Sequence, residues 1–407
     1  MPPRAPAAGH EAGGAGATGA VPQARLVRVV QALDRAWLGA KLRCGLLGPV
    51  EVHAYRGHGT TTTLWCRGRV LESTGVVRSR ARDTSLQNLR NMARRFVSDD
   101  IPGARVRVRF GALEQEVVAD DEGYLDVCLR LPEPLPPRTR WHDVQLELLA
   151  PMARGQTGAR AVASVLVPVG ARFGVISDLD DTVLDSGVTE PLRMLRIALL
   201  SNAHRRLPFE GVASFYRALQ RGPDGHGYNP IFYVSSSPWN LFDLLEDFLH
   251  VHGIPRGPLF LRDFSARGLR QPAERHKLSV IRSLLATYPD LPFVLIGDSG
   301  ERDPEIYQQV AHEHPGRVLA VYIREVTHGR RHDATLAIAR ELRGHGVELL
   351  VGEDTAAAVG HARARGLIAP DADAGPAPGR GRRRSGGYAA ALRAGGDGGA
   401  QRRARGS

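Results

Sequence analysis

Phe173-Gly-Val-Ile-Ser-Asp178-Leu-Asp180-Asp181-Thr182-Val-Leu-Asp185 is the stretch from which the fold of this chain can be read. A short apolar, β-prone segment, Phe173 to Ile176, runs into an Asp-x-Asp-x-Thr cluster. Side chains alternate along a strand, so Asp178 and Asp180 fall on roughly one side at the carboxyl end of a buried strand. Open α/β sheets place their ligand sites at that end. Two carboxylates so close repel each other in apolar surroundings unless a cation or a shared proton offsets the charge. Hard oxygen donors suit Mg2+, which keeps several waters and also takes substrate phosphate. The cluster therefore points to Mg2+-assisted phosphoryl transfer, with one aspartate placed to attack phosphorus. A calcium loop would need Gly at its sixth position and Glu at its twelfth, where this chain has Val183 and Thr189. A solvated acidic turn is the other plain alternative.

The chain has 407 residues, room for two domains with cores of their own, plus tails. Its formal net charge of +11 suggests nucleic acid until the charge is located. Residues 371–407 hold eight Arg and three Asp, so a Gly/Ala/Arg-rich tail with almost no large apolar residues supplies +5 of it. Such composition predicts disorder, as does the Ala/Gly/Pro-rich stretch 1–22. The first 22 residues lack a basic region followed by an apolar one, so they do not read as a secretory signal. No stretch reaches the roughly 18 apolar residues of a transmembrane helix. The three cysteines, Cys44, Cys66 and Cys128, have no metal-like spacing and read as reduced thiols of a cytoplasmic protein.

Residues 23–168 alternate in the β manner, as in Val50–Tyr55, Arg105–Phe110, Tyr124–Leu131 and Val144–Leu149, with one helix-like segment at Ser85–Val97. This predicts a β-rich, sandwich-like domain of six or seven strands. The Arg105-Val-Arg-Val-Arg109 stripe reads as a solvated sheet face rather than an anion site. Over residues 172–370 the pattern becomes strands alternating with helices, the mark of a doubly wound parallel sheet in an α/β domain. Candidate strands are 173–177, 231–235, 258–261, 293–297 and 318–322, with helices at 238–251, 275–287 and 303–313 and a last strand–helix pair within 347–368. Ser237-Pro238 and Asp303-Pro304 both read as an N-cap followed by a first helical residue.

Three later motifs accompany the first. Ile231-Phe-Tyr-Val-Ser235-Ser236-Ser237-Pro238-Trp239-Asn240 ends a strand in hydroxyls facing a helix start, where backbone N–H groups favour phosphate. Ser237 fits a plain cap, so Ser235 and its neighbour Ser236 are the phosphate-binding candidates. Lys277 is one of only two lysines, with Lys41, against 52 arginines. A compact ammonium at that position suits a slot between a carboxylate and a phosphate, where a forked guanidinium does not fit. Phe293-Val-Leu-Ile-Gly297-Asp298-Ser299-Gly300-Glu301-Arg302-Asp303 again ends an apolar strand in acids. Asp298 is the better Mg2+ ligand, with Asp303 either reaching the metal through water or capping the next helix. Gly-Asp-Ser-Gly occurs in secreted serine proteases as well, but the disulfides, secretory signal and all-β setting of those enzymes are missing from this sequence.

In this order the four pieces resemble the motif set of the haloacid-dehalogenase (HAD) phosphohydrolase superfamily. More closely, Asp178-Leu-Asp-Asp-Thr-Val, Tyr233-Val-Ser-Ser-Ser-Pro-Trp-Asn, Gly257-Pro-Leu and Ile296-Gly-Asp-Ser-Gly-Glu-Arg-Asp-Pro-Glu-Ile-Tyr resemble the actin-patch-associated phosphatidate phosphatase family. The resemblance spans about residues 23–370 and includes Tyr55-Arg-Gly-His-Gly-Thr in the β-rich part. It implies a HAD-like catalytic domain in which Asp178 attacks phosphorus to give an aspartyl-phosphate. Asp180 would protonate the leaving alkoxide and then activate water. Mg2+ would be held by the Asp178 carboxylate, the Asp180 backbone carbonyl and Asp298, with Asp303 nearby. Ser235 and Lys277 would hold phosphoryl oxygens, and Thr182 would orient the loop.

The implied substrate is phosphatidate, with a soluble phosphomonoester or a nucleic-acid end as alternatives; nucleic acid is disfavoured as a partner because so much of the charge sits in the tail. A scaffold that uses only the β-rich domain is the competing non-enzymatic reading. Residues 191–209, apolar with Arg193, Arg196 and a His204-Arg205-Arg206 turn, read either as a helix docked on the core or as one facing lipid. Peripheral contact of a cytoplasmic protein with a membrane would follow from the second. Removal of residues 371–407 is expected to leave turnover of a soluble substrate intact and to weaken sedimentation with anionic vesicles, each basic residue near such a surface contributing about 1 kcal/mol. Loss of turnover in the truncated protein would contradict this reading of the tail.

Overall fold

The computed structural model describes residues 37–41, 43–73, 100–179, 211–263, 272–326, 330–352 and 355–372. Asp180, Thr182, the 191–209 segment, the expected Ser85–Val97 helix, the expected tail 1–22 and residues 373–407 of the other expected tail lie outside them.

Among the described residues, eight strands form the N-terminal part: β1 (Val50–Ala54), β2 (Gly57–Gly59), β3 (Thr63–Glu72), β4 (Arg105–Phe110), β5 (Leu113–Val118), β6 (Tyr124–Arg130), β7 (Trp141–Ala150) and β8 (Arg160–Leu166). They hydrogen-bond into one sheet, in the order β1-β3-β2-β8-β7-β4-β5, with β6 pairing β3. This differs from the expected sandwich of six or seven strands. The three-residue β2 pairs antiparallel with β3 and parallel with β8, and so carries one ladder across what would otherwise be two sheets. Gly-His-Gly has no alternating pattern to betray it. Alternate residues of β7 are buried, as a half-covered antiparallel strand requires. The stripe on β4 faces its own counter-charges: Arg105 meets Glu116 at 2.7 Å, Arg107 meets Glu114 at 2.8 Å, and Arg109 meets Glu114 at 2.7 Å. Exposed pairs of this kind add little stability.

The second part is, among the described residues, an all-parallel sheet of six strands: β9 (Gly174–Asp178), β10 (Ile231–Pro238), β11 (Leu259–Arg262), β12 (Phe293–Asp298), β13 (Val318–Arg324) and β14 (Glu348–Gly352). The order β11-β10-β9-β12-β13-β14 places the first strand in the middle. Helices α1 (Val212–Arg221), α2 (Phe242–Val251) and α6 (Ala356–Ala364) pack with Val175, Tyr233, Val294 and Tyr322 on one face. Helices α3 (Ala273–Thr287), α4 (Asp303–Glu313) and α5 (Arg330–Gly344) pack with Ile176, Phe232, Leu295 and Val321 on the other. Covering on both faces explains why these strands read as unbroken apolar runs; all of β9, β10 and β12 is buried. Helices α1 and α5 were not among the expected elements. The latter offers the core little beyond Ile338, Ala339 and Leu342 and is otherwise rich in charge.

Both expected N-caps are corrected. Pro238 ends β10 and a short 3-10 turn at Trp239–Leu241 intervenes before α2, while Arg302 is the residue preceding α4 and no side chain caps it. The Asp303 side chain turns inward to Lys277 and the Asp298 backbone N–H, and the Ser237 side chain is buried at the end of β10.

The two parts meet at the tip of β10. The Tyr55 ring packs at a tilt against Trp239, with ring centroids 4.7 Å apart, and against Phe242 at 4.5 Å. Arg69 donates to Asn240 at 3.0 Å, Arg67 lies over the rings of Tyr124 and Trp239, and Arg56 pairs with Glu246 at 2.6 Å. Further along, His58 Nδ1 lies 3.2 Å from the Tyr288 hydroxyl, which donates to the Gly59 carbonyl. Burial pushes His58 down to about 3, so this contact is between neutral groups. Tyr55→Ala is expected to cost about 3–5 kcal/mol, the range for emptying a buried aromatic site, and Tyr55→Phe less than about 1. Urea denaturation curves of the two variants measure this; equal and small losses would show that the ring contacts do not hold the parts together.

Candidate active site

The strand order reverses around β9 and β12, which run side by side in parallel with Ile296 opposite Ser177. Such a switch point leaves a crevice at the carboxyl ends of the strands. Asp178 is the last residue of β9 and Asp298 the last of β12, so adjacent strands deliver both acids to one place. With Asp303 from the first turn of α4 they form a buried group in which one carboxylate oxygen of each lies within 4.8 Å of the others.

Lys277, from the first turns of α3, enters this group from the side. Its Nζ lies 2.9 Å from Asp178 Oδ1, 2.5 Å from Asp303 Oδ1 and 3.1 Å from Glu301 Oε2, and the side chain is 3% exposed. Burial alone would lower the ammonium, but Asp178, Asp303 and Glu301 outweigh it and hold Lys277 well above the usual lysine range. The carboxyls of Asp298 and Asp303 are themselves pushed up by burial, an effect that the Lys277 charge opposes.

Each acid is oriented. Asp298 Oδ1 accepts from the backbone N–H groups of Gly300 at 2.6 Å and Glu301 at 3.0 Å, the bonds that close the turn after β12. Asp303 Oδ2 accepts from the Asp298 backbone N–H at 3.2 Å. Gly297 makes this approach possible: a Cβ there would lie 2.8 Å from both Cβ and Cγ of Asp303. The Ser177 hydroxyl donates to the Asp178 carbonyl at 2.7 Å and takes the Tyr216 hydroxyl at 2.7 Å. Tyr307 donates to the Ile296 carbonyl at 2.8 Å, bracing β12 from α4.

A divalent cation fits these residues. Asp298 Oδ2 is buried and has no hydrogen-bond partner among the described residues, a costly state unless something positive meets it. It shares the crevice with Asp178, and hard carboxylate oxygens are the ligands that Mg2+ takes. Asp303 belongs to the same group, but its two oxygens are already used, one by Lys277 and one by the Asp298 N–H. Its visible work is to hold those two residues.

The structure thus brings together Asp178, Ser236, Lys277, Asp298 and Asp303. Ser236 Oγ reaches the same Glu301 oxygen as Lys277, at 3.5 Å. Ser235 Oγ accepts from the Ser237 backbone N–H at 2.9 Å, which ties it into the strand tip. Asp180 and Thr182 lie outside the described residues. Two contributors carry no role in the sequence reading. Glu301 was visible only as one more acid in an acidic motif. Arg331 of α5, whose guanidinium donates to the carbonyls of Ser299 and Glu301, comes from an element that the sequence pattern did not reveal.

Lys277→Met should destabilise the protein by about 3–5 kcal/mol, the cost of leaving buried charges without their partner. Lys277→Arg keeps the charge but has no room for a planar fork among three carboxylates, and should still lose stability by thermal denaturation. Melting unchanged in both variants would show that the ammonium does not hold the cluster together.

A family model described as "Phosphatidate phosphatase APP1, catalytic domain" matches residues 173–325, the segment that runs from the start of β9 to just past β13. Phosphatidate phosphatase APP1 of Saccharomyces cerevisiae is 33% identical over 165 residues, which cover 40% of this chain and 27% of that protein. An uncharacterised protein of Schizosaccharomyces pombe is also 33% identical over 165 residues, covering 39% of this chain and 26% of its own. The chain thus spans about a quarter of the length of the curated relatives it matches. Among solved structures, a carbohydrate acetylesterase from Xanthomonas citri aligns with 73% of this chain and 66% of its own at 13% identity, with a TM-score of 0.23 that supports no argument about fold or function. The α/β region is thus similar in sequence to that catalytic domain, and the segment matched by the family model includes Asp178, Lys277, Asp298 and Asp303.

Proposed function

We propose that this chain is a Mg2+-dependent phosphatase of the HAD type that works through an aspartyl-phosphate, with phosphatidate as its substrate and diacylglycerol and phosphate as products. One observation carries the chemistry: Lys277 Nζ lies 2.9 Å from Asp178 Oδ1 in a buried crevice, beside a carboxylate oxygen of Asp298 that has no hydrogen-bond partner among the described residues. A nucleophilic carboxylate needs an adjacent cation to approach a phosphate dianion, and a second cation is required by Asp298. The substrate class rests on the sequence likeness to the catalytic domain named for phosphatidate.

In this reading Asp178 attacks phosphorus, the bond to the lipid oxygen breaks, and the departing alkoxide takes a proton from Asp180. Water then attacks the aspartyl-phosphate, gives its proton to Asp180, and frees Asp178 and inorganic phosphate. Asp180, which lies outside the described residues, is given this role by the resemblance of its motif to the HAD set. Lys277 and the hydroxyls of Ser235 and Ser236 hold phosphoryl oxygens, so the work of the site is positioning and charge compensation. Mg2+, held by Asp178 and Asp298, would neutralise phosphoryl charge during both displacements. The reading also places the protein in the cytoplasm, at a membrane surface when it acts on lipid.

Asp178→Asn is expected to lose several powers of ten in turnover while keeping its melting temperature, because an amide neither attacks phosphorus nor binds Mg2+ well. The assay uses phosphatidate in mixed micelles and a soluble aryl phosphate side by side, each with Mg2+ and with a chelator. Activity that survives the chelator, or more than about a hundredth of wild-type activity in Asp178→Asn, would remove the mechanism. Turnover of the aryl phosphate without turnover of phosphatidate would keep the mechanism and reject the lipid.

A further inference from the structure

The two donors assigned to the phosphoryl group converge on a group that belongs to the protein. Glu301 Oε2 lies 3.1 Å from Lys277 Nζ and 3.5 Å from Ser236 Oγ. Both donors are buried, whereas the Glu301 side chain is 21% exposed. The carboxylate therefore stands at the mouth of the crevice, between its buried donors and solvent. An ammonium and a hydroxyl that share one anionic oxygen form the arrangement that would receive a phosphoryl oxygen.

We propose that Glu301 is a built-in competitor of the substrate phosphoryl group: its carboxylate takes the phosphoryl position in the empty site and swings outward when phosphate enters. The inference rests on the phosphatase reading above. The ammonium has three N–H donors and Asp178 and Asp303 take two of them, so the third, with the Ser236 hydroxyl, serves either Glu301 or a phosphoryl oxygen. The movement required is small, because the backbone at Glu301 is pinned. Its N–H donates to Asp298 Oδ1 at 3.0 Å, and its carbonyl accepts from the Arg331 guanidinium. Only the side-chain torsions need turn, toward solvent that the carboxylate already touches. The consequence is an affinity set below what Lys277 and Ser236 would give alone, which favours the departure of inorganic phosphate after each turnover.

The test compares wild-type protein with Glu301→Gln, an isosteric change that removes the charge, and with Glu305→Gln as a control for general charge near the site. Glu305 lies on α4, half exposed, 3.9 Å from Arg331. Binding of inorganic phosphate to the full chain in Mg2+ is measured by calorimetry, and kcat and KM are measured on a soluble aryl phosphate. Glu301→Gln is expected to tighten phosphate binding by about tenfold, the worth of one hydrogen bond to a charged group, and to lower KM in parallel; Glu305→Gln is expected to do neither. Unchanged or weaker phosphate binding in Glu301→Gln would overturn the proposal, since a mere support for Lys277 would weaken binding when altered. Equal tightening in both variants would overturn it as well, because a general field would then explain the effect. Wild-type protein that binds phosphate but turns over no phosphomonoester would sink the phosphatase reading itself, while the calorimetric comparison would still decide the role of Glu301.

Discussion

A single buried ammonium holds the α/β half of this molecule in order. Lys277 meets Asp178 from β9, Asp303 from α4 and Glu301 from the turn between β12 and α4, so one charge ties three separate pieces of chain. Burial disfavours the charged forms of Lys277, Asp298 and Asp303, and the attraction between ammonium and carboxylates opposes that effect. Such an arrangement is a weak source of net stability, because desolvation consumes most of the attraction. Its value is geometric: a cation in contact with a carboxylate, both stripped of water, is preorganised for chemistry on an anionic group.

The sheet makes this possible by its strand order. Placing β9 between β10 and β12 brings the ends of three strands into one crevice, each with a different contribution. The tip of β9 carries Asp178, that of β10 carries the serines, and that of β12 carries Asp298. Parallel pairing keeps these ends level: Val234 lies opposite Asp178, and Ile296 opposite Ser177. The α/β half does not stand alone. Side chains of the β-rich part grip Trp239, Asn240 and Phe242, just beyond the serines, so the strand tip proposed to bind phosphate is braced from outside its own domain.

Much of this was legible from local pattern. Strands covered on both faces need unbroken apolar runs, and each run that ends in acids or hydroxyls advertises a ligand-facing tip. Asp178, Ser235, Ser236, Lys277, Asp298 and Asp303 could therefore be picked out singly, and the rarity of lysine singled out Lys277. The alternation of β4, β6 and β7 identified a β-rich part for the same local reason, since side chains on a half-buried strand must alternate.

What the sequence by itself determined were the element types and the chemistry of the strand tips, because both depend on residues close together in the chain. Which partner each tip group finds was decided only by the tertiary structure. The 3-10 turn after Pro238 and the inward bonds of Asp303 displaced two caps that local rules favoured, because a buried carboxylate gains more from Lys277 than from an exposed helix end. The short β2 merged two expected sheets, since its pairing with β8 links residues more than a hundred positions apart. Glu301 and Arg331 escaped notice for the same reason: their roles exist only where α3, α5 and the turn after β12 come together, and nothing near them in the chain records that meeting.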